Sequence, residues 1–437
     1  MKKLLLLFGV LLFLVSCSQE ESLMPPKEND AGVSQNSCMK QAEQRLRNII
    51  KNHRFLTRSN GVNIKEAFPL QITRKVPASS SQTRGNSLSQ PVDSIINYAY
   101  VVNFDEKGFI VMGAIDELPE IIAYSDNGSI PNPDNPQETK VNPRVEDFLS
   151  DLQLYVLYNC CFSVDDDGSN PIISKQYSPW EGRTLNGDGL CPVQWHQSTP
   201  YDKYCLDKDG SKKVPVGCLT VAVAQMMACY QYPTSYTYVT TDRRVNFDWN
   251  LMINDDYPST GMTPATEMIC RLMESLFATE NLAIHYDDNS GNSLGRFYRV
   301  PHTLSHFGYS ESGYSTAFNE QEAIKELKGD HPIMLGGYRE KSTNSGLVIG
   351  HAWLVHGLYE QARTVTTIWR NGERTTKTER QYLFLCNWGR GPNGMNGYYW
   401  ASNFNDKIAP AQVQDPSIPA PDKGSYTDLE MYYKIRP

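Results

Sequence analysis

Gly217-Cys218-Leu-Thr-Val-Ala-Val-Ala-Gln-Met-Met-Ala-Cys-Tyr230, closed shortly afterwards by Pro233, decides how this 437-residue chain is read. The residues after Cys218 are apolar around most of a helical circumference. The spacing therefore predicts a buried helix rather than an amphipathic surface one. Cys218 falls in its first turn, where the unpaired N–H groups and the positive end of the helix dipole favour a thiolate. Gly217 removes side-chain bulk in front of that sulfur, so an extended substrate backbone can approach it closely.

A thiolate that attacks a carbonyl needs a base that later returns a proton, a group that orients the base, and donors for the oxyanion. His351, bounded by Gly350 and followed by the strand-like Ala352-Trp-Leu-Val-His-Gly357, is read as the base. An imidazolium beside the sulfur is expected to hold an ion pair at neutral pH. Asn387, at the end of Tyr382-Leu-Phe-Leu-Cys386, is expected to accept a hydrogen bond from the imidazole, with Trp388 shielding that bond from water. Gln197 is read as the oxyanion donor together with the N–H of Cys218, with Gln194 as a rival. His196, His285, His331 and His356 are read as packing or cleft-lining residues. Alternation along a strand sets His356 on the face opposite His351.

Working outward, Cys38 to Phe55 is predicted as a helix, residues 77–90 as a loop, and 98–104, 108–112 and 120–126 as short strands. Val145 to Leu157 reads as a further helix. Asp165-Asp-Asp-Gly-Ser-Asn-Pro171 reads as a linker, because it lacks the spacing of a calcium loop. These elements make a small α+β domain over 38–165. A second domain, 171–437, has helices first (Cys218 to Tyr230, Thr263 to Ala278, Gln321 to Leu327) and strands later. Asn371-Gly372 between Thr-rich arms signals a hairpin. A helical half followed by a sheet half implies two lobes with a cleft between them. Lys175 and Arg183 are read as places where a protease nicks the precursor.

Residues 1–17 form a targeting segment: Lys2 and Lys3, an apolar core from Leu4 to Val15, then Leu14-Val15-Ser16-Cys17, which resembles a bacterial lipobox. Cys17 is then a lipidation site, and residues 18–37 a polar tether. The implied location is the bacterial cell envelope, periplasm or outer membrane, through a lipid anchor, or the medium after processing. The net charge of −8 without a basic run argues against nucleic acid as a partner. Ten cysteines are present, and their spacing matches neither a zinc site nor a regular disulfide framework. No metal or organic cofactor is implied.

The Gly-Cys helix containing Ala-Gln-Met and ending at Tyr-Pro, the Gly350-His-Ala-Trp-Leu-Val-His-Gly357 run, and Asn387-Trp-Gly followed by Asn396-Gly-Tyr-Tyr resemble the streptopain family of papain-like cysteine peptidases. Tyr286 to Ser293 is similar, more loosely, to that family's substrate-side loop. Tyr100-Val-Val-Asn-Phe104, Gly108-Phe-Ile-Val111 and Ala123-Tyr-Ser-Asp-Asn-Gly128 resemble its inhibitory propeptide. The resemblance implies an α+β, two-lobed papain-like endopeptidase made as a zymogen, with its own propeptide as inhibitor and proteins or peptides as substrates. It implies Cys218 as nucleophile, His351 as base and acid, Gln197 as oxyanion donor and Asn387 with Trp388 as the orienting group. Gly217, Gly350 and Ser293 would line the substrate site. Two features depart from the pattern: His356 stands where relatives more often have an acid, and the chain between His351 and Asn387 is long.

Three other readings of the sequence compete with this one. Gly291-Asn-Ser293-Leu-Gly295 matches a serine-nucleophile pattern, but the sequence before it is a polar loop and not the strand such an elbow requires. A transglutaminase-like acyl transferase usually orients its histidine with a carboxylate, which Asn387-Trp388 is not. A catalytically silent surface lipoprotein that binds peptides or partner proteases has no need of the full set of catalytic groups.

Overall fold

The computed structural model describes residues 29–53, 63–76, 92–105, 107–133, 142–157, 172–255, 261–288, 292–340, 348–404 and 427–437. The targeting segment with Cys17, the 77–90 loop and the acidic run at 165–167 lie outside the described residues.

The first unit comprises helix α1 (Asn29–Asn52), strands β1 (Ile64–Val76), β2 (Val92–Phe104), β3 (Phe109–Gly113) and β4 (Ile121–Ser125), and helix α2 (Pro143–Tyr155). Helix α1 starts at Asn29, before Cys38, so residues 29–37 of the expected tether are helical. Extending a helix from a packed segment costs little compared with nucleating one, so it propagates into polar sequence that has no periodicity of its own. The four strands form an antiparallel meander in which Val101 faces Val111 and Val111 faces Ala123. Strands β3 and β4 are buried on both faces. Asn142 caps α2, its side chain accepting from Arg144 N at 3.1 Å, and Pro143 supplies a preset φ at the first helical position.

The second unit opens with strands β5 (Ile172–Tyr177) and β6 (Glu181–Thr184), followed by helix α3 (Cys218–Tyr230). Next come the β7 (Ser235–Thr237) and β8 (Arg244–Asn246) ribbon, helices α4 (Trp249–Ile253) and α5 (Pro264–Phe277), and the β9 (His285–Asp287) and β10 (Asn292–Leu294) ribbon. Helix α6 (Val300–His306), β11 (Glu311–Ala317), α7 (Glu320–Lys328), β12 (Ile333–Glu340), β13 (Val348–Trp369), β14 (Arg374–Asn387), β15 (Gly397–Trp400) and β16 (Thr427–Arg436) complete it. The α+β class read from the sequence is the one observed. The Asn371-Gly372 turn joins β13 to β14, with Gly372 at φ +82°. Among the described residues no helix is long and apolar enough to cross a membrane.

One antiparallel sheet runs through both units, in the order β1-β2-β3-β4-β15-β14-β13-β12-β16-β11, with β5 and β6 added along β13. The join is β4 on β15, where Ser125, Tyr124 and Ala123 face Gly397, Tyr398 and Tyr399. Helix α2 covers that join. Its Phe148 meets Tyr399 edge-on at 5.2 Å and its Tyr155 meets Trp400 at 4.8 Å. A buried core is therefore shared between the units. A second core lies where α3, α5 and α6 pack against Ala352, Leu354 and Met334 of the sheet.

The positions of Lys175 and Arg183 overturn the reading of them as nicking sites. Lys175 pairs with Thr367 and Arg183 with Glu360 in the ladder on β13, and Arg183 also bridges to the Glu360 carboxylate at 2.8 Å. A protease needs an extended, free backbone, and here those backbone groups are committed to a sheet.

Fully buried Gln361 on β13 acts as a further rung across the join. Its Oε1 accepts from Ile121 N at 3.1 Å and its Nε2 donates to Ile121 O at 2.7 Å. Gln361→Ala leaves both Ile121 groups buried and unpaired, at about 1–3 kcal/mol each. The expected result is faster loss of the first unit from the precursor and a fall of several degrees in precursor Tm. An unchanged release rate in gel time courses would contradict this.

Candidate active site

Helix α3 begins at Cys218, as its sequence predicts. Gly217 before it sits at φ +86°, a region L-residues avoid, and a Cβ there would lie 3.3 Å from Ser293. Ser293 thus flanks the approach to the sulfur, with its hydroxyl donating to Pro215 O. It stands on the short strand β10, not on a strand-to-helix elbow. Val216 N donates to Gln197 O at 2.9 Å, which sets half-buried Gln197 beside the residues leading into Cys218. Gln194, its rival, is exposed.

The Cys218 sulfur accepts a hydrogen bond from Ala352 N at 3.4 Å, one residue along β13 from His351. His351 is 3% exposed and lies opposite Gly337 of β12, with Gly350 opposite Tyr338. Its Nε2 is 3.1 Å from Trp388 O. A carbonyl only accepts, so the ring carries its proton on Nε2. The imidazole lies nearly parallel to the Trp353 ring, 6.1 Å away at 16°.

The expected bond from His351 to the Asn387 side chain is not the one observed. Asn387 Oδ1 accepts from Gln225 Nε2 and from Gly389 N, each at 3.1 Å, and Nδ2 donates to Val193 O at 2.9 Å. Both lone pairs of that oxygen are occupied. The group that meets the imidazole is the main-chain carbonyl of the next residue, Trp388. The Trp388 ring is fully buried, 5.2 Å from the rings of Trp353 and Tyr399, and donates Nε1–H to Met395 O at 3.2 Å.

Sequence reasoning passed over two participants. Gln225 is the one strongly polar side chain in the apolar α3 run. It ties the helix to Asn387 and, at 3.2 Å, to Trp195 O. A lone amide in a buried helix was the signal. The other is Arg144 of the first unit, in the first turn of α2. With Arg390 it exerts a cationic field on both Cys218 and His351, so the two side chains share one electrostatic pocket. Asn142 holds that turn in place by donating Nδ2–H to Gly394 O at 2.7 Å. Ser125 Oγ donates to Asn396 O at 2.8 Å, and Met395 N to Asn127 Oδ1 at 2.9 Å. The first unit therefore grips the 388–396 loop that carries the carbonyl on His351.

Burial sets the ionisation here. It pushes the Cys218 thiol up, against the N–H groups of Ala352 and Leu219 and the two arginines, which pull it down. Burial also holds His351 well below its ordinary value, reinforced by the same arginines and opposed only by the Trp388 carbonyl. The ion pair expected from the sequence is thus replaced, while the first unit is in place, by a neutral thiol and a neutral imidazole. Desolvation of two charges outweighs the helix dipole.

His356 is buried away from this chemistry, its Nδ1 accepting from Cys191 N at 3.1 Å. Burial lowers it from 6.5 to about 3. A depressed pKa on a base means that stability is full above about 6.5 and is lost as pH falls toward about 3. Going from pH 7 to pH 5 should cost about 2 kcal/mol through this residue. His356→Gln is expected to flatten that acid slope in denaturant titrations, and an unchanged slope would refute the assignment.

Residues 195–399 match the Peptidase C10 family, and residues 30–156 match the Spi protease inhibitor family. Streptopain from Streptococcus pyogenes serotype M28 (strain MGAS6180) is 20% identical over 289 residues, covering 59% of this chain and 67% of the relative. Streptopain from serotype M1 of the same species matches to the same extent. Among solved structures, a mutant fragment of prointerpain A from Prevotella intermedia covers 83% of this chain and 98% of its own, at 18% identity and a TM-score of 0.46. Active interpain A from that organism covers 56% of this chain and 92% of its own, at 20% identity and a TM-score of 0.36. With a C10 match over the helix of Cys218 and the strands of His351 and Trp388, and an inhibitor match over the unit that closes on them, the chain is a streptopain-like cysteine endopeptidase with a propeptide inhibitor ahead of the catalytic domain.

Proposed function

We propose that the protein hydrolyses peptide bonds through Cys218 and His351, and that residues 38–165 hold the domain at 171–437 inactive until they are cut away. The observation that carries this reading is that the sulfur and the imidazole flank a single peptide step of β13 and feel the same two arginines. With Nε2 engaged by the Trp388 carbonyl, Nδ1 is the nitrogen that takes the thiol proton. The thiolate then adds to the scissile carbonyl, and the oxyanion is received by the N–H of Cys218 and the amide of Gln197. His351 returns the proton to the leaving amine, and water completes hydrolysis of the thioester. Gly217, Gly350 and Ser293 border the strip where the substrate backbone lies. Asn387 acts one step removed, by fixing α3 through Gln225 and the 388–396 loop through Gly389.

Inhibition follows from the same contacts. While α2 and β4 are docked, Arg144 and the shared core exclude water and substrate, and the resting pair stays uncharged. Outside the described residues, the proposal keeps a signal segment at 1–17, lipidation at Cys17 and anchorage to the bacterial envelope before processing. The test is incubation of purified precursor under mildly reducing conditions. It should shorten to a form starting ahead of Ile172, the first residue of β5. It should then degrade an unfolded protein substrate and take up an alkylating peptide inhibitor on Cys218. Constant length with no labelling would favour a silent binder instead.

A further inference from the structure

At the far end of α3 from Cys218, a second pair of sulfurs meets. Cys229, in the last turn, donates to Gln225 O at 3.2 Å. Cys191, in the segment that leads from β6 toward α3, reaches the same carbonyl at 3.9 Å and Val193 O at 3.4 Å. Burial pushes the Cys229 thiol up, and the neighbouring Cys191 thiol adds to that rise. Both residues are half-buried, and both pack against the core beneath α3. The Cys191 backbone is fixed by its N–H bond to His356 Nδ1. Two thiols that share one acceptor lie side by side, and side-chain rotation can bring them to the covalent S–S separation of about 2.05 Å. Of the other described cysteines, Cys270 donates to Pro200 O at 3.1 Å from full burial, Cys205 is fully buried near Cys270, and Cys386 is enclosed by the sheet core.

We propose that Cys191 and Cys229 form an oxidation site, closing to a disulfide that staples the helix of the nucleophile to the segment entering the catalytic domain. The oxidant is a disulfide-exchange reagent, either a small-molecule disulfide or an oxidoreductase disulfide. Cys191 takes the first step, because burial pushes the Cys229 thiol up. Its sulfur attacks the oxidant, forms a mixed disulfide and expels one thiolate. Cys229, deprotonated as it attacks, then displaces the second thiolate from Cys191. Two protein thiols are oxidised and one disulfide is reduced to two thiols, the two protons lost by Cys191 and Cys229 being taken up through solvent by the two expelled thiolates. The staple spans a helix already held by Gln225 and Asn387, so it restrains α3 without touching the end that carries Cys218.

The experiment uses the full chain carrying Cys218→Ala, which keeps the nucleophile out of the sulfur chemistry. It is equilibrated with oxidised glutathione, alkylated and digested with trypsin. The expected product is peptide 184–203 joined to peptide 214–243, with the loss of two hydrogens. Thermal unfolding of that form should shift up by about 5 °C or more relative to the reduced chain. Added Cys191→Ser or Cys229→Ser should each abolish the linked peptide and the shift. Both cysteines alkylated after oxidation, stable glutathione adducts on either one, or linkage of either to a different cysteine would overturn the proposal. None of these outcomes bears on the peptidase reading, which rests on Cys218 and His351.

Discussion

The chain carrying Cys218→Ala is expected to keep its full length under conditions in which the unaltered precursor shortens. Its turnover of an unfolded protein substrate should fall on the order of 10⁴-fold or more, because a residue whose removal eliminates the covalent step leaves only binding and oxyanion contacts behind. Folding should survive the change. Cys218 is the first residue of α3, and the helix is held by Val221, Val223, Met226 and Met227 in the core and by Gln225 at its waist. His351→Ala should approach the same loss. Asn387→Ala should act differently: it removes the acceptor for Gln225 and Gly389, so it should lower Tm as well as turnover, with a milder effect on turnover. Retention of self-shortening by well-folded Cys218→Ala would end the assignment of the nucleophile.

The second large effect concerns the reactivity of Cys218 before and after release of the first unit. In the precursor, burial raises the thiol above its ordinary value of 9.0 and holds His351 neutral. Only about 1% or less of the thiol is then ionised at pH 7. Removing α2 and β4 returns water to the site, so the helix end and a protonatable imidazole can hold a thiolate. Alkylation of Cys218 by iodoacetamide at pH 7 should therefore be on the order of 10²–10³ times faster in the processed form. The sign of the pH dependence separates the two states. The rate in the precursor should climb steadily from pH 7 to 10 as the thiol ionises. The rate in the processed form should already be near its plateau at pH 7. Parallel profiles, with the label mapped to Cys218 in both, would show that the first unit does not control the charge state of the pair.

Local pattern accounts for much of what was legible in advance. The α3 run from Cys218 to Tyr230 needed no partner to be recognised, since a largely apolar stretch between Gly217 and Pro233 favours one buried helix. The Asn371-Gly372 turn, with Gly372 at φ +82°, is likewise a property of two adjacent residues. Strand β1 was not foreseen, because Pro69 interrupts its alternation. It is tolerated because β1 is the edge of the sheet, where a missing N–H breaks no second ladder. Strands β5 and β6 were missed for another reason. Their residues are polar and partly exposed, and only the distant β13 makes them strands.

The residue types of the site, their order along the chain, and the helix that presents the sulfur belong to the one-dimensional text. Short-range sterics, apolar periodicity and side-chain chemistry act on neighbours and leave a readable mark. Which atom meets the imidazole does not. Asn387 and the Trp388 carbonyl are one residue apart, and the choice between them was made by Gln225, Gly389 and Val193 competing for the amide in three dimensions. The neutral resting state was decided there as well. Desolvation depends on what covers a group, and the cover comes from Arg144 and α2, far away in sequence and brought over the cleft only by the pairing of β4 with β15.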